Sequence, residues 1–513
     1  MSAAIGNPPV RQLIIVGRDA PAWLTASAMH FALAPAGVEV TVVELPSRVQ
    51  AADLAIALPA LEALHGRLRI DESRLIAGTR GAFTLGRRFV DAAGVVPAFF
   101  HAHGSVGTRI DRKEFLPQWL SARHQGLHAP FEDFSLTAMA ARQDRMLLPD
   151  AATEGYGFTD YGYHLPAIPY GAWLRQFALR RGVRAHATRG LEVRVDAQRG
   201  ISGLLLDEGR RVSGDLFIDA TGGEALLVNA LGVARESWRD AFVADRVLCG
   251  LGALRSPIPI HSEIRAQATG WMSLAASQLC VHVQQAYSSE LLSDSAALAA
   301  AANMPLQSVT IQERHPGRRL RAWEKNCIAL GEAACVFDPL HFLDLHAVQV
   351  GLVHLLQLFP VHADFSVERD EYNQNVRSAF ERMRDFQSAH YRLNRYGLSD
   401  GAAPFWSRAR ATPLSAELAH KIDTFRARGE TVHYEDEAFT IDDWQALFIG
   451  HGVLPETWDP AVDRTEPALL WNELRRIQDF IRQKVEAQRS HPEYLQTVCA
   501  PGFAAVPRPR TQQ

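Results

Sequence analysis

Residues 12 to 44 hold the pattern that most narrows the fold. Beginning at Gln12, the run Leu13 to Val16 is continuously apolar, as in a parallel strand buried on both faces. An Ala-rich helical stretch follows from Pro21 to Ala34, and Pro35 to Gly37 stops it. Val38 to Val43 forms a second strand, closed by Glu44. Two strands joined through a helix in this space pair in parallel by a right-handed crossover. Such a unit opens a doubly wound α/β sheet, whose ligands gather where the strands end.

Two later segments repeat the theme. Asp215 to Ala220 is a buried-type strand that ends Asp219-Ala-Thr-Gly222, with Gly223 extending the turn. Cys327 to Leu330 runs into the small-residue turn Gly331-Glu332-Ala333-Ala334. Asp338-Pro339-Leu340 follows as a loop, and a helix-patterned segment extends towards residue 360. Strand, turn, loop and helix in that order bring backbone amides and a helix N-terminus up to an anion or cofactor.

The first turn is less regular. Gly17, Arg18, Asp19, Ala20, Pro21 and Ala22 occupy the six positions of a G-x-G-x-x-G fingerprint, and only the first glycine is present. Asp19 places a carboxylate where a diphosphate would sit, and like charges at ~4 Å repel by about 1 kcal/mol even in water. Glu44 is placed to accept hydrogen bonds from a ribose, or else faces solvent at the start of a loop. The turn alone serves equally a dinucleotide site and a plain strand–helix junction.

Elsewhere the pattern predicts strands near Arg80 to Asp91 and a His- and Gly-rich loop from His101 to Gly107. Helices are expected at Lys113 to Arg123 and Tyr163 to Arg181, hairpin strands from Gly190 to Leu206, and further sheet over 245–287. From about 361 the chain reads as helical, with Tyr372 to Tyr391 and Trp471 to Gln488 the clearest helices and a frayed PRPRTQQ end. The expected division is a cofactor module over 1–360, interleaved with sheet at about 45–160 and 245–320, and a helical subdomain over 361–513.

Composition excludes several functions. The net charge is −4, so no basic excess exists to neutralise phosphates, and nucleic acid is not an expected partner. Five cysteines, at 249, 280, 327, 335 and 499, form no Cys-x-x-Cys pair, which fits a reducing cytoplasm. The spacings of His101 with His103 and His341 with His346 match no zinc pattern, so no metal is expected. No run of 18 apolar residues predicts a membrane span, and the first residues lack a secretory leader pattern.

Taken together, these segments resemble the flavin-dependent tryptophan halogenases over nearly the whole chain. The resemblance rests on Asp338-Pro339-Leu340, Tyr161 to Val183, Asp245-Arg246, Tyr287-Ser288-Ser289, Glu368 to Tyr391 and Pro404-Phe405-Trp406. It implies an α/β, FAD-binding Rossmann-like fold of the FAD-dependent monooxygenase type, with an added sheet and a mostly helical C-terminal substrate subdomain. It also implies an oxidoreductase that uses reduced FAD, oxygen and, in the family, halide. A small aromatic or planar molecule is the implied substrate, and a homodimer is allowed. No second dinucleotide motif for NAD(P)H is present, so a separate flavin reductase is implied.

The family's key positions are changed. Its catalytic lysine falls at Thr84 in Gly81-Ala82-Phe83-Thr84, and its Glu-Ser pair at His341-Phe342. Its W-x-W-x-I-P signature falls at Trp271 to Ala275, with one tryptophan kept. Thr84 has no amine to carry or orient a halogen. Strand alternation puts Arg88, not Arg87, on the same side as Thr84. His341 titrates near ~6.5 if unperturbed, which suits a general base as well as a packed loop residue. The expected flavin contacts are Gly17, Glu44, Asp219, Gly222 and Gly331. Tyr391, Phe405 and Trp406 either line a substrate pocket or pack helices onto sheet. The alternative function is a non-catalytic partner that keeps the fold and binds FAD weakly or not at all.

Overall fold

The computed structural model describes residues 9–150, 153–302, 304–360, 362, 364–397 and 403–500. The chain divides into two compact units, each threaded from three segments. The first takes in residues 1–70, 166–239 and 314–384, and the second 71–165, 240–313 and 385–513. The stretch 361–513, expected as one subdomain, therefore contributes to both.

The first unit is built on a six-stranded sheet. Its order is Trp323–Glu324, Cys327–Ala329, Leu216–Ala220, Gln12–Gly17, Glu39–Glu44, Arg184–Ala187. All neighbours are parallel except the first pair. Ile15 lies opposite Ile218 on one side and Val42 on the other, and Ile218 lies opposite Ile328. All four side chains are fully buried, as expected of strands covered on both faces. The helix Asp19–Leu33 covers the sheet with Ala22, Trp23, Leu24, Ala26 and Met29. A side chain at Gly17 would place Cβ 2.5 Å from the Ala220 carbonyl, so only glycine lets this strand and helix close up.

The second unit holds a seven-stranded sheet. Its order is Gln307–Glu313, Arg246–Gly252, Val281–Tyr287, Gly270–Ala276, Ser262–Gln267, Gly86–Asp91, Phe99–Ala102. It is antiparallel except where Ser262–Gln267 meets Gly86–Asp91. Helices Phe115–His124, Leu136–Arg142, Ile441–Gly450 and Pro467–Glu486 belong to this unit.

Several expectations shift. Tyr163 to Pro166 is not the start of a helix: Gly162–Pro166 is a strand paired with Ala82–Thr84, and the helix is Ala167–Arg180. Pro166 explains the boundary, because proline disfavours the helical conformation in the residue before it. His101 and Ala102 are strand rather than loop, pairing with Arg87 and Gly86. The helices expected at 372–391 and 471–488 run Ser366–Leu393 and Pro467–Glu486. The PRPRTQQ end lies outside the described residues. Among the described residues no helix is long and apolar enough to cross a membrane.

Candidate active site

In the first unit the parallel strands finish in register. Gly17 lies opposite Ala220 on one side and Glu44 on the other, and Asp219 lies opposite Ala329, two residues before Gly331. Gly17, Glu44, Asp219, Gly222 and Gly331 thus gather at one end of four adjacent strands. The chain leaves the strand Gln12–Gly17 for neighbours on both sides, which makes this end a topological switch point. The N-terminus of the helix Asp19–Leu33 adds unpaired amides and the positive end of its dipole.

Each residue has its own task there. Gly222 and Gly331 take φ of +76° and +59°, which suit glycine, and nothing lies within 4 Å of where a Gly223 side chain would go. Asp219 is fully buried and accepts from Thr221 N (3.1 Å), Thr221 Oγ1 (2.7 Å), Leu227 N (2.7 Å) and Val228 N (3.1 Å). Burial raises its pKa against the pull of these bonds. Both carboxylate oxygens are spent on the protein itself, so Asp219 ties Thr221 to the start of the helix Leu226–Ala230.

Charged groups rim this edge. Asp19 sits at φ +57°, and its Oδ2 accepts the Arg48 N–H at 3.3 Å. Arg18, 9% exposed, donates to Glu224 at 2.5 Å, and Arg48 pairs with the other oxygen of the same carboxylate. Glu44 is held by Arg175 Nε at 2.8 and 3.0 Å.

The Asp338 loop is drawn tight. Asp338 is fully buried, and its Oδ1 accepts from Leu340 N at 2.9 Å. His341 is also fully buried, and His341 and Phe342 take φ of +73° and +55°. Consecutive non-glycine residues in the left-handed region cost about 1–3 kcal/mol each and persist where the surroundings impose them. Arg314 braces the chain on either side of them. It donates to Glu332 Oε1 at 2.5 Å, to the Phe337 carbonyl at 2.9 Å and to Asp344 Oδ1. One guanidinium therefore ties the Gly331 turn, the loop and the start of the helix Asp344–Gln357. Burial works against its charge, but Asp344 and Glu332 outweigh that and hold its pKa above the ordinary arginine value.

The second unit contains the remaining predicted residues. Thr84 is 1% exposed, and its hydroxyl donates to the Gly86 carbonyl (3.1 Å) and accepts from Gly86 N (3.4 Å). It closes the Thr84–Gly86 turn. That turn resets the strand alternation: Arg87 is buried at 2% exposure, whereas the Arg88 side chain is 43% exposed and pairs with Glu263. The expectation that Arg88 shares the side of Thr84 is corrected on this ground.

Tyr391, Phe405 and Trp406 are all buried and pack on one another, with ring centroids 5.2 to 6.2 Å apart. Tyr391 OH accepts from Trp271 Nε1 at 2.8 Å, and Trp406 Nε1 donates to the Gln267 carbonyl at 2.7 Å. Their polar handles are satisfied within the protein, and Tyr391 and Trp406 leave no ring-width gap for a ligand between them.

Sequence reasoning missed three features: the Arg314 clamp, buried Arg87 and an internal ion pair. Lys421 and Glu437 are bonded to each other, each side chain 2% exposed. The ammonium lies 4.1 Å from the Trp444 ring centroid, and Trp444 Nε1 donates to Glu437 at 2.6 Å. A lysine among Leu418, Ile422 and Phe425 at helical spacing was the signal that could have exposed this pair.

The tryptophan halogenase family model matches residues 12–467. The chain belongs to the tryptophan halogenase family. Among solved structures it resembles BrvH, a flavin-dependent halogenase from Brevundimonas sp. BAL3, at 30% identity and a TM-score of 0.90. That match covers 96% of this chain and 100% of BrvH. Xcc4156, a flavin-dependent halogenase from Xanthomonas campestris, matches at 31% identity and TM-score 0.89, over 98% and 100% of the two chains. Tryptophan 6-halogenase ThaL of Streptomyces albogriseolus is 24% identical over 528 residues, covering 92% of this chain and 96% of ThaL. The fold of this family member is thus the FAD-binding Rossmann-like type.

The residues at the strand ends fit FAD. Open space at Gly223 allows close approach, and the positive φ of Gly222 and Gly331 shapes the two turns beside it. Arg18 and Arg48 stand beside the Asp19 turn, where a diphosphate needs cations.

Proposed function

We propose that this family member binds FAD along the first unit's strand ends, receives it reduced from a separate reductase in the cytoplasm, and oxidises a small aromatic or planar substrate. Reduced FAD supplies the two electrons with which oxygen becomes an oxidant. Gly17 keeps the strand and helix close, Gly222 and Gly331 shape the turns beside the cofactor, and Arg18 and Arg48 balance the diphosphate against Asp19. Glu44 accepts from the ribose while sharing its charge with Arg175. His341, on the clamped loop, holds and moves a proton at its imidazole. Thr84 offers no amine, and its hydroxyl is engaged at Gly86, so halogen transfer through a lysine at this position has no support.

The observation that carries this reading is the register that brings Gly17, Glu44, Thr221–Gly223 and Gly331 to one strand edge. The test is a titration with oxidised and with reduced FAD, followed by reaction of reduced FAD, oxygen and halide with a panel of indoles. Mass spectra should show oxygen incorporated whether or not halide is present. A single regiospecific halogenated product would overturn the loss of halogenation.

A second reading is a non-catalytic binding protein. Its support is that Glu44, Arg18 and Arg48 already have protein partners. It stands if neither redox form of FAD binds.

A further inference from the structure

The second unit contains a cavity of about 270 Å³ beside the edge strand Phe99–Ala102. Phe99, Trp119 and Phe131 give it aromatic walls, and Ala102, Ala138 and Ala446 leave the space between them. The volume lies near the lower end for small-molecule sites, enough for one or two fused rings.

Its charged lining is unbalanced. Glu132 is the acid there, and it is already committed: one oxygen accepts from Phe100 N at 2.6 Å and the other pairs with Arg142. Arg123 and Arg395 also line the cavity. Among the described residues neither has a carboxylate within 4.0 Å. Arg123 lies over the Trp119 ring, 5.4 Å from its centroid. The Arg395 guanidinium packs on Gly452, where an added Cβ would come within 2.6 Å of it. Arginine matches carboxylate oxygens two at a time.

We propose that this cavity is a binding site for a small aromatic carboxylate, with the ring among Phe99, Trp119 and Phe131 and the carboxylate on Arg395 and Arg123. The site lies wholly within the second unit and is independent of the flavin reading.

Calorimetric titration of the full-length protein with 2-naphthoate and its neutral isostere 2-naphthamide tests the proposal. One equivalent of naphthoate should bind, and naphthamide should bind at least about tenfold more weakly. The Arg123→Gln/Arg395→Gln double variant should lose that preference, and Ala446→Trp should abolish naphthoate binding by filling the cavity. Should Ala446→Trp fail to fold, Arg123→Gln alone, an exposed change, should still weaken naphthoate severalfold. No binding up to about 1 mM, equal binding of the two probes, or naphthoate affinity untouched by the arginine changes would each overturn it.

Discussion

The two units handle charge in opposite ways. In the first, the ionic groups that matter stand at the rim of the sheet: Arg18 and Arg48 on Glu224, Arg175 on Glu44, Arg314 on Glu332 and Asp344. The strands beneath are mostly apolar, with Asp219 fully buried among them. In the second, ionisable groups are sunk into the interior. Arg87, His103, His164, His390, His451 and His491 are all buried, as is the Lys421–Glu437 pair. Rim contacts can be exchanged for a ligand at little cost, because water and neighbours compensate on either side of the exchange. Interior contacts cannot, because a charge left without its partner stays out of water. In the second unit Thr84 is itself part of the buried interior, held in a hydrogen-bonded turn with Gly86.

Acid gives the largest separation between the units. Burial lowers the pKa of His103, His164, His261, His390, His451 and His491 in the second unit, to about 3 for His164 and His451 and about 4 for His491. In the first unit, burial lowers His65 to about 3 and His346 to about 4. A lowered histidine costs nothing above pH ~6.5. It loses stability as pH falls towards the folded value, because the unfolded chain takes up the proton first. At pH 5 each histidine held at about 3 or 4 should cost ~2 kcal/mol. Asp442, raised by burial to about 6, and Glu132, also raised by burial, work the other way as pH falls, but they are two groups against six. Hydrogen exchange at pH 7 and 5, corrected for intrinsic rates, should show protection falling further in residues 246–287 than in 12–44. Equal losses would break the contrast.

Next in size is the interior ion pair. Lys421→Ala should destabilise the protein by about 3–5 kcal/mol, since Glu437 is left buried. Lys421→Met with Glu437→Gln should recover most of that loss in chemical denaturation. A single variant as stable as the parent would show that the pair is not sealed from water.

Arg314 sharpens the other half of the comparison. Arg314→Ala should loosen the Gly331 turn and the His341 loop and weaken FAD about tenfold or more, with Arg314→Lys recovering part of the loss. Flavin absorbance during titration is the readout, and a global stability change without a change in FAD affinity would count against the clamp.

The smallest effect is expected at Asp19. Glycine there removes a positive-φ side chain and a like charge near the diphosphate, so Asp19→Gly should tighten FAD by about 1 kcal/mol. Unchanged affinity would mean that Asp19, through Arg48 N, supports the turn more than it repels the cofactor.

How legible these units were in sequence follows the same split. The strands Gln12–Gly17 and Leu216–Ala220 were readable because burial on both faces leaves a solid apolar run. The residues of the strand-end edge were readable because each closes such a run. Tyr163 to Pro166 was read as helix because tyrosine, histidine and leucine beside a true helix carry no decisive period. Its pairing with Ala82–Thr84 decides it. Arg87 was misplaced because one turn residue, Leu85, lies between two strands that look continuous. The Arg314 clamp joins residues 314, 332 and 344 through the fold, and no local pattern announces such a junction. Asp219 was legible as a position but not as a role, since the amides it caps lie in the residues beyond its strand.

The threading of the first unit has a consequence for how the protein is made. The strand Gln12–Gly17 has its partner at Leu216–Ala220, which in turn waits for Cys327–Ala329. At about 5–20 residues per second, a nascent chain carries that first strand for roughly 10–40 s before its second neighbour emerges. The open edge of Leu216–Ala220 then waits further. Largely apolar strand edges stay unpaired on the ribosome meanwhile, so holding them apart from other chains falls to the cell's chaperones. Yield in a heterologous host should therefore respond to chaperone supply and slowed synthesis more than to any substitution at the strand ends.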